Sequence, residues 1–269
     1  MKKYLVIGNP IEHSLSPLIH NYWIKKYNLI DYVYEKRKVE EENLGRIVEE
    51  VKMDVLKGVN ITVPFKKKII PFLDKLDITA TNTQSVNTLY KEDDGQVIGI
   101  NTDVQGFKAS LSKYHAKNIF VLGAGGVTSS IVYHLSLTAN KIYISNRTRE
   151  KAEKLKNEGN KWALRKNIEV IDWGEKPKVC DLVVNTTSVG LKNDENLGLD
   201  FKEYENNKNV LFYDLIYNPK ETSFLKDARL RGNKTMNGKK MFLYQAHFAF
   251  YKWMGIQPEI DDKIIKLLD

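Results

Sequence analysis

The sequence predicts an α/β fold with two lobes, and two observations support this prediction. First, residues 119–122 are four consecutive apolar residues that run into a glycine-rich turn at 123–126. A run of helical length follows at 127–139, and a second apolar run follows at 141–145. Second, apolar runs alternate with helical patterns in the first hundred residues as well. This alternation is typical of parallel strands that helices cover on both faces, and 269 residues are enough for two modest lobes.

The first lobe combines predicted strands with short helices. Strands are expected at residues 4–7, 31–38, 58–63, 86–90 and 97–100, and helices after Pro17, at 44–55 and at 74–84. Pro17 suits the first position of a helix, which makes Ser16 the predicted N-cap. Residues 93–96 read Asp-Asp-Gly-Gln between the last two strands and predict a β-hairpin. The next helix is expected to begin at Gly106, and the boundary between the lobes precedes it.

The second lobe continues after the glycine turn with further short strands. They are expected at residues 168–171, 182–184 and 210–213, followed by a helix at 222–231, a long amphipathic run through Trp253 and a last helix near 260–268. Polar residues follow the strands, among them Asn185 and Asp214. Cys180 lies just before an apolar strand, so we interpret it as a packing residue rather than a nucleophile.

The glycine turn predicts a nucleotide site. Glycines allow the backbone to approach a pyrophosphate, and the helix N-terminus presents free N–H groups to it. Thr128 stands where G-x-G-x-x-G has its third glycine, so a plain turn before a helix stays an alternative. An NAD site usually has an acidic residue after the second strand, but this chain has Asn146, Arg147 and Thr148, with Arg149 and Lys151 close behind. A cation and a hydroxyl suit a 2′-phosphate, so the pattern favours NADP over NAD and counts against an S-adenosylmethionine site.

Composition excludes several classes of protein. The net charge is +8 and the pI about 9.2, but the lysines are spread along the chain, which favours small anionic ligands over nucleic acid. No apolar run is long enough to span a membrane. One cysteine excludes an internal disulfide and fits a reducing, cytoplasmic setting, and no Cys/His cluster has metal-ligand spacing. We therefore expect a small-molecule substrate, no metal, no membrane and no nucleic-acid partner. The sequence leaves open whether the protein is a monomer or a homodimer.

Six short blocks occur in order along the chain. They are Gly8-Asn9-Pro10-Ile11 with His13-Ser14-Leu15-Ser16-Pro17, then Asn60-Ile61-Thr62-Val63-Pro64-Phe65-Lys66, Val86-Asn87-Thr88-Leu89, Asn101-Thr102-Asp103, the glycine turn with Asn146-Arg147-Thr148, and Gln245-Ala246. With these blocks the chain resembles the shikimate dehydrogenase family along its whole length. The resemblance implies a substrate-binding domain at 1–103, completed by C-terminal helices at 238–269 that return to the first lobe. It also implies a Rossmann-type NADP-binding domain at 104–237.

The resemblance implies roles for individual residues. Lys66 and Asp103 match the catalytic pair. The positions that match substrate-binding residues are Ser14 and Ser16 for the carboxylate, Tyr217 near it, and Thr62, Asn87, Asp103 and Gln245 for the ring hydroxyls. The positions that match NADP-binding residues are Gly123, Ala124, Gly125, Gly126, Asn146, Arg147, Thr148 and Lys151, with Gly238 near the nicotinamide.

The implied reaction is the reversible reduction of 3-dehydroshikimate to shikimate by NADPH, a step of chorismate and aromatic amino acid biosynthesis. A lysine ammonium can stabilise the negative charge that develops on the carbonyl oxygen, and a neighbouring carboxylate can hold that ammonium in place. The alternatives are a quinate/shikimate dehydrogenase of broader specificity, a non-catalytic NADP-sensing module and a nucleic-acid binder. Four positions depart from the family's usual small residues: Ser85, Val127, Thr128 and Lys240.

Overall fold

The computed structural model describes residues 1–162, 166–192 and 195–268. The chain divides into two compact units. The first unit is Met1–Gly106 with Phe242–Asp269, and the second unit is Phe107–Met241. Among the residues described, no helix is both long and apolar enough to cross a membrane.

The first unit is built on a six-stranded mixed sheet. Its strands are β1 (Lys2–Gly8), β2 (Tyr32–Lys38), β3 (Gly58–Ile61), β4 (Lys75–Leu76), β5 (Thr88–Lys91) and β6 (Val97–Ile100), in the order β2-β1-β3-β5-β6-β4. β1 pairs in parallel with both β2 and β3, whereas β5 runs antiparallel to β3 and β6. The predicted hairpin is therefore present, and it makes this sheet mixed.

Helices cover both faces of the first sheet. They are α1 (Ser16–Lys26), α2 (Leu44–Lys52), α3 (Ile78–Thr83), the start of α4 (Thr102–Ser110), most of α8 (Lys239–Met254) and α9 (Asp262–Lys266). Leu44, Ile47 and Val51 of α2 are buried in the core of one face. On the other face Trp23 packs with Phe250, so the C-terminal helix returns to the first unit as predicted.

The second unit has the order of a doubly wound nucleotide-binding fold. Its parallel strands are β7 (Asn118–Leu122), β8 (Lys141–Ser145), β9 (Ile168–Val170), β10 (Leu182–Asn185), β11 (Leu211–Asp214) and β12 (Lys234–Met236). Its helices are the end of α4, α5 (Thr128–Ser136), α6 (Arg149–Trp162), α7 (Ser223–Leu230) and the start of α8. The order β9-β8-β7-β10-β11-β12 reverses direction between β7 and β10, where such sheets bind ligands. The predicted Rossmann-type lobe is confirmed.

Several predicted element boundaries were wrong. The N-cap of α1 is Leu15 and not Ser16, which is the first helical residue, and the Ser16 N–H instead donates to Ser14 Oγ at 3.4 Å. Helix α4 begins at Thr102, before the expected Gly106, because the side chain of Asn101 accepts a hydrogen bond from the Asp103 N–H and caps the helix. Asp103 therefore lies in the first turn of a helix and not in a loop.

Three elements were not predicted, namely α6, β12 and the two-residue strand β4, and one predicted helix is shorter than expected. Helix α6 is mostly charged, and only a narrow stripe that includes Ala152 and Leu155 is buried, so its apolar periodicity is weak. Strand β12 is short and partly exposed. The helix expected at 74–84 is confined to α3, because Asp77 caps it by accepting from the Ala80 N–H.

Candidate active site

Lys66 and Asp103 form an ion pair in the first unit. Lys66 Nζ lies 2.6 Å from Asp103 Oδ2, and the two side chains are 17% and 8% exposed. The two residues are 37 positions apart in the chain. The fold therefore brings together the two residues that the family resemblance paired.

The backbone of Lys66 is held on both sides. The turn that precedes it is closed by the Phe65 N–H, which donates to the Thr62 carbonyl at 2.9 Å, and the Phe65 ring is buried in the core. The Ile69 N–H donates to the Phe65 carbonyl at 3.0 Å, and the Val86 N–H donates to the Lys66 carbonyl at 2.8 Å. The backbone of Lys66 is thus fixed by hydrogen bonds, so only side-chain conformational entropy is lost when the ammonium group takes up its position.

Asn87 fixes the carboxylate of Asp103. The Asn87 amide group donates to Asp103 Oδ1 at 3.0 Å and to Thr102 Oγ1 at 2.9 Å. Its oxygen accepts from the Thr102 N–H at 2.8 Å. Asn87 is buried, and both of its amide hydrogens are used inside the protein. In this arrangement Asn87 joins the segment before β5 to the first turn of α4 and positions Asp103.

A buried polar network continues from Asn87 to β2. Asn60 Nδ2 donates to the Asn87 carbonyl at 3.0 Å and to Thr88 Oγ1 at 2.9 Å. The Tyr34 hydroxyl donates to Asn60 Oδ1 at 2.6 Å, and the ring of His20 stacks on Tyr34 with centroids 4.1 Å apart. The sequence analysis missed Tyr34, because one tyrosine in a strand signals only β propensity and its partner lies 26 residues away.

Ser14, Ser16 and Thr62 follow two neighbouring strands of the same sheet. β1 and β3 are parallel and in register at Ile7 and Ile61, so the residues after them lie at one edge. Ser14 and Thr62 are half-buried, and Ser16 is buried. A Cβ at Gly8 would lie only 2.6 Å from Thr62 Cγ2, so this close approach favours a glycine in the first of the six blocks.

Gln245 lies on α8 and is half-buried. Its Nε2 donates to the Phe242 carbonyl one turn earlier at 2.9 Å. The amide oxygen of Gln245 is not used in this bond, so it can accept from a ligand hydroxyl.

In the second unit the glycine turn is held by two threonines. Gly123 has a φ of +108°, and a Cβ there would lie 2.7 Å from Thr186 Oγ1. The Gly125 N–H donates to Thr128 Oγ1 at 2.9 Å, and Thr128 Oγ1 lies 2.8 Å from Thr186 Oγ1. Since Thr186 donates its proton to the Leu122 carbonyl, Thr128 is the donor in the threonine pair. Thr128 at the third-glycine position is therefore built into the turn rather than being a defect in it.

Asn146 connects the glycine turn to the end of β8. Its Oδ1 accepts from the Ala124 N–H at 3.1 Å, and its Nδ2 donates to the Thr148 carbonyl at 2.7 Å. One asparagine thus shapes both the turn and the loop that follows β8. That loop carries the exposed Arg147 and Thr148.

The cations near this loop differ in their partners. Arg149 is engaged by Asp172 and Glu153. Among the described ion pairs none includes Arg147, which is exposed, as is Lys151. Arg147 is therefore the arginine available to an anion.

The residues at the turn fit NADP. Within the described part of the chain, a Cβ at Gly125 or Gly126 would meet no atom within 4 Å, so the open side of the turn has room for a phosphate group. No acidic side chain follows β8 directly, and Arg147 offers a cation for a 2′-phosphate. No group of three His, Cys, Asp or Glu side chains that could hold a metal ion occurs among the residues described.

Tyr217 and Gly238 also belong to the second unit. Tyr217 is half-buried, and burial raises its pKa to about 12, so at neutral pH it is a neutral phenol that can donate a hydrogen bond. Gly238 is buried, and a Cβ there would overlap the Leu215 carbonyl oxygen. The glycine is needed for this close backbone approach.

Comparisons with known proteins agree with these observations. A family model described as the shikimate dehydrogenase substrate binding domain matches residues 6–89, and one described as shikimate / quinate 5-dehydrogenase matches residues 106–218. A shikimate dehydrogenase (NADP(+)) from Pelagibacter ubique is 48% identical over 273 residues, which cover 100% of this chain and 99% of that protein.

Two solved structures are similar over the full chain. Shikimate 5-dehydrogenase from Thermus thermophilus, in complex with NADP(H) and shikimate, has a TM-score of 0.86 at 28% identity and covers 100% of this chain and 98% of its own. Shikimate 5-dehydrogenase from Listeria monocytogenes, in complex with shikimate and NAD, has a TM-score of 0.91 at 29% identity, with coverage of 100% and 96%. With both family models matched and nearly half of its residues identical to those of a full-length relative, this chain belongs to the shikimate dehydrogenase family.

Proposed function

We propose that this chain is an NADP-dependent shikimate dehydrogenase that reversibly reduces 3-dehydroshikimate to shikimate. The observation that carries the proposal is the part-buried Lys66–Asp103 pair. In this proposal residues 1–103 and 238–269 bind the substrate, and residues 104–237 bind NADP. The enzyme acts in the cytoplasm as a monomer or homodimer, without a membrane, metal or nucleic-acid partner.

The cofactor would be held by the glycine turn, with its 2′-phosphate near Arg147 and Thr148. Bound NADPH supplies the hydride of the reduction. The protein's own residues must bind and orient the substrate and manage one proton.

Lys66 and Asp103 act at the carbonyl oxygen. Negative charge develops on this oxygen during the reduction, and the Lys66 ammonium stabilises it by donating a hydrogen bond. An ammonium has three N–H donors, and Asp103 takes one of them. Asp103 thereby aims the ammonium, and Lys66 Nζ is positioned to supply the proton that completes the alcohol, or to accept it in the reverse direction.

The remaining polar residues suit a polyhydroxylated ring acid. Ser14 and Ser16 offer hydroxyl donors to its carboxylate, and Thr62 and Gln245 offer groups that pair with ring hydroxyls. A substrate that lacks a hydroxyl would leave such a group unpaired, which is the strongest source of discrimination in a polar site.

A second candidate is a quinate/shikimate dehydrogenase that also uses NAD. The family model that matches residues 106–218 is described by both substrates, which favours this candidate. The arginine and threonine after β8, where an NAD site has a carboxylate, support the narrower NADP-dependent enzyme.

The test is a panel of four reactions that pair NADP⁺ or NAD⁺ with shikimate or quinate. The rate of each reaction is measured from the change in nicotinamide absorbance. Fast reduction of NADP⁺ with shikimate alone is the expected result. Comparable rates with quinate or NAD⁺ would favour the second candidate. No turnover in any pairing, despite calorimetric binding of NADP⁺, would contradict both and favour a non-catalytic NADP-sensing module.

A further inference from the structure

Asp214 is a buried carboxylate at the end of β11 in the second unit. Three neutral groups hydrogen-bond to it: Thr222 Oγ1 donates to Oδ2 at 2.6 Å, and Asn185 Nδ2 and the Ile216 N–H donate to Oδ1 at 3.1 Å and 3.0 Å. Burying a carboxylate is costly, and these donors offset part of that cost. An apolar residue would pack here at lower cost, so packing alone does not explain a hydrogen-bonding side chain at this position.

The three donors belong to three different segments. Asn185 is the last residue of β10, and Thr222 is the N-cap of α7. Ile216 lies in the segment 215–217, which follows β11 and ends at Tyr217. Asp214 therefore ties this segment to a neighbouring strand and to a helix N-terminus.

The segment 215–217 in turn contacts Gly238. The Leu215 N–H donates to the Asn185 carbonyl at 3.1 Å, and the Gly238 N–H donates to the Ile216 carbonyl at 3.0 Å. The Leu215 carbonyl occupies the place that a Cβ at position 238 would take. A change in the shape of this segment is therefore passed to Gly238 by direct backbone contact.

We propose that Asp214 is a positioning residue of the dehydrogenase, which holds the segment 215–217 so that Tyr217 and Gly238 keep the positions for which the family resemblance implies substrate and nicotinamide binding. This inference rests on the proposed function. Asp214 does not touch the reactants; it acts through Tyr217 and Gly238.

The neighbouring residue Tyr213 offers a matched control. Its hydroxyl donates to Ser110 Oγ at 2.8 Å, and both residues are buried. Tyr213 and Leu215 belong to one apolar cluster, but phenylalanine keeps the ring, and the hydroxyl that it lacks bonds only to Ser110 of α4 among the described hydrogen bonds. Tyr213→Phe thus removes a buried hydrogen bond one residue away without touching the predicted site.

The experiment compares Asp214→Ala, Asp214→Asn and Tyr213→Phe. Asp214→Ala is expected to raise the KM and the calorimetric Kd for shikimate by about 10- to 100-fold, because a displaced Tyr217 would lose a charge-assisted hydrogen bond to the substrate carboxylate. The Kd for NADP⁺ should stay within about threefold, since the glycine turn and Arg147 are intact. Asp214→Asn should recover nearly wild-type constants, because its oxygen can accept from Ile216 and Asn185 while its amide donates to Thr222. Tyr213→Phe should lower the thermal stability but leave KM unchanged.

Wild-type KM and Kd in folded Asp214→Ala would overturn the inference, and so would equal kinetic changes in Tyr213→Phe. If Asp214→Ala does not fold, Thr222→Val removes one donor at constant shape and is expected to raise the KM for shikimate about three- to tenfold; no change would overturn the inference. An inactive wild-type protein would contradict the proposed function and this inference with it, whereas an active wild type with an unaffected Asp214→Ala contradicts the inference alone.

Discussion

Replacing Asp103 with asparagine should show whether Lys66 and Asp103 act as one unit. The carboxylate accepts from Lys66 Nζ through one oxygen and from Asn87 Nδ2 through the other. An asparagine has one oxygen and one NH₂ group, so in either orientation its NH₂ faces a donor. The variant loses one hydrogen bond and gains a donor–donor contact, at nearly the same volume.

The magnitude follows from the kind of bond that is lost. Hydrogen bonds to charged groups contribute about 1.5–3 kcal/mol, which corresponds to about 10- to 150-fold in kcat/KM. Lys66→Met removes a donor at the developing oxyanion, which typically costs about 10²- to 10³-fold in kcat. Because Asp103 acts by holding Lys66, Asp103→Asn in a Lys66→Met background should cost little more.

The assay is steady-state oxidation of shikimate with NADP⁺ for the two single variants and the double variant, with circular dichroism to confirm folding. Lys67→Met, at an exposed neighbouring lysine, is the matched control and should keep wild-type kcat. If the losses of the two single variants multiply, so that the double variant is at least about tenfold slower than Lys66→Met, the view that the two residues form one catalytic unit is refuted.

Three further predictions concern cofactor choice and stability. Arg147→Ala should raise the calorimetric Kd for NADP⁺ about 10- to 100-fold and leave that for NAD⁺ within about twofold; an equal loss in Arg149→Ala, whose guanidinium is already paired, would argue against a specific phosphate contact. Ser85→Ala should raise the free energy of unfolding in urea by about 1 kcal/mol, since the buried Ser85 hydroxyl has no hydrogen-bond partner among the described residues, and a destabilised variant would contradict this. Burial raises the pKa of Asp214 from 3.8 to about 6, so the folded state binds this proton more tightly and loses up to roughly 3 kcal/mol of stability as pH rises from about 4 to 6. Asp214→Asn has no titrating group here, so the free energy of unfolding of this variant, relative to that of the wild type, should increase as pH rises from about 4 to 6. A difference in unfolding free energy that does not change with pH would contradict this assignment.

Local pattern was sufficient to predict much of the second unit. The apolar run of β7, the glycine turn and the apolar run of β8 lie within 30 residues of one another, and the conformation of each depends mainly on residues close by in the sequence. The same holds for Arg147 after β8, whose place is set by the end of the strand. Helix α6 was missed because its buried stripe is narrow, and the start of α4 was missed because the capping role of Asn101 was not considered.

The identities of the candidate catalytic residues were likewise readable from short blocks, but their contacts were not. Lys66 lies after one strand and Asp103 in the first turn of a helix 37 residues later. Only the strand order, with β5 inserted between β3 and β6, brings the Asn87 side chain to both Asp103 and Thr102. A side chain's hydrogen-bond partners depend on which elements become neighbours, and local spacing does not encode that.

By itself, then, the sequence determined most of the order of strands and helices, the glycine turn and the chemistry available at the strand ends, because these depend on residues a few positions apart. Tertiary structure alone decided how those groups are held. Thr128 of the glycine turn is hydrogen-bonded to Thr186, which is 58 residues away, and Asp214 accepts hydrogen bonds from three separate segments. Such bonds form only when the folded core excludes water from them, so they are consequences of packing and not of local pattern.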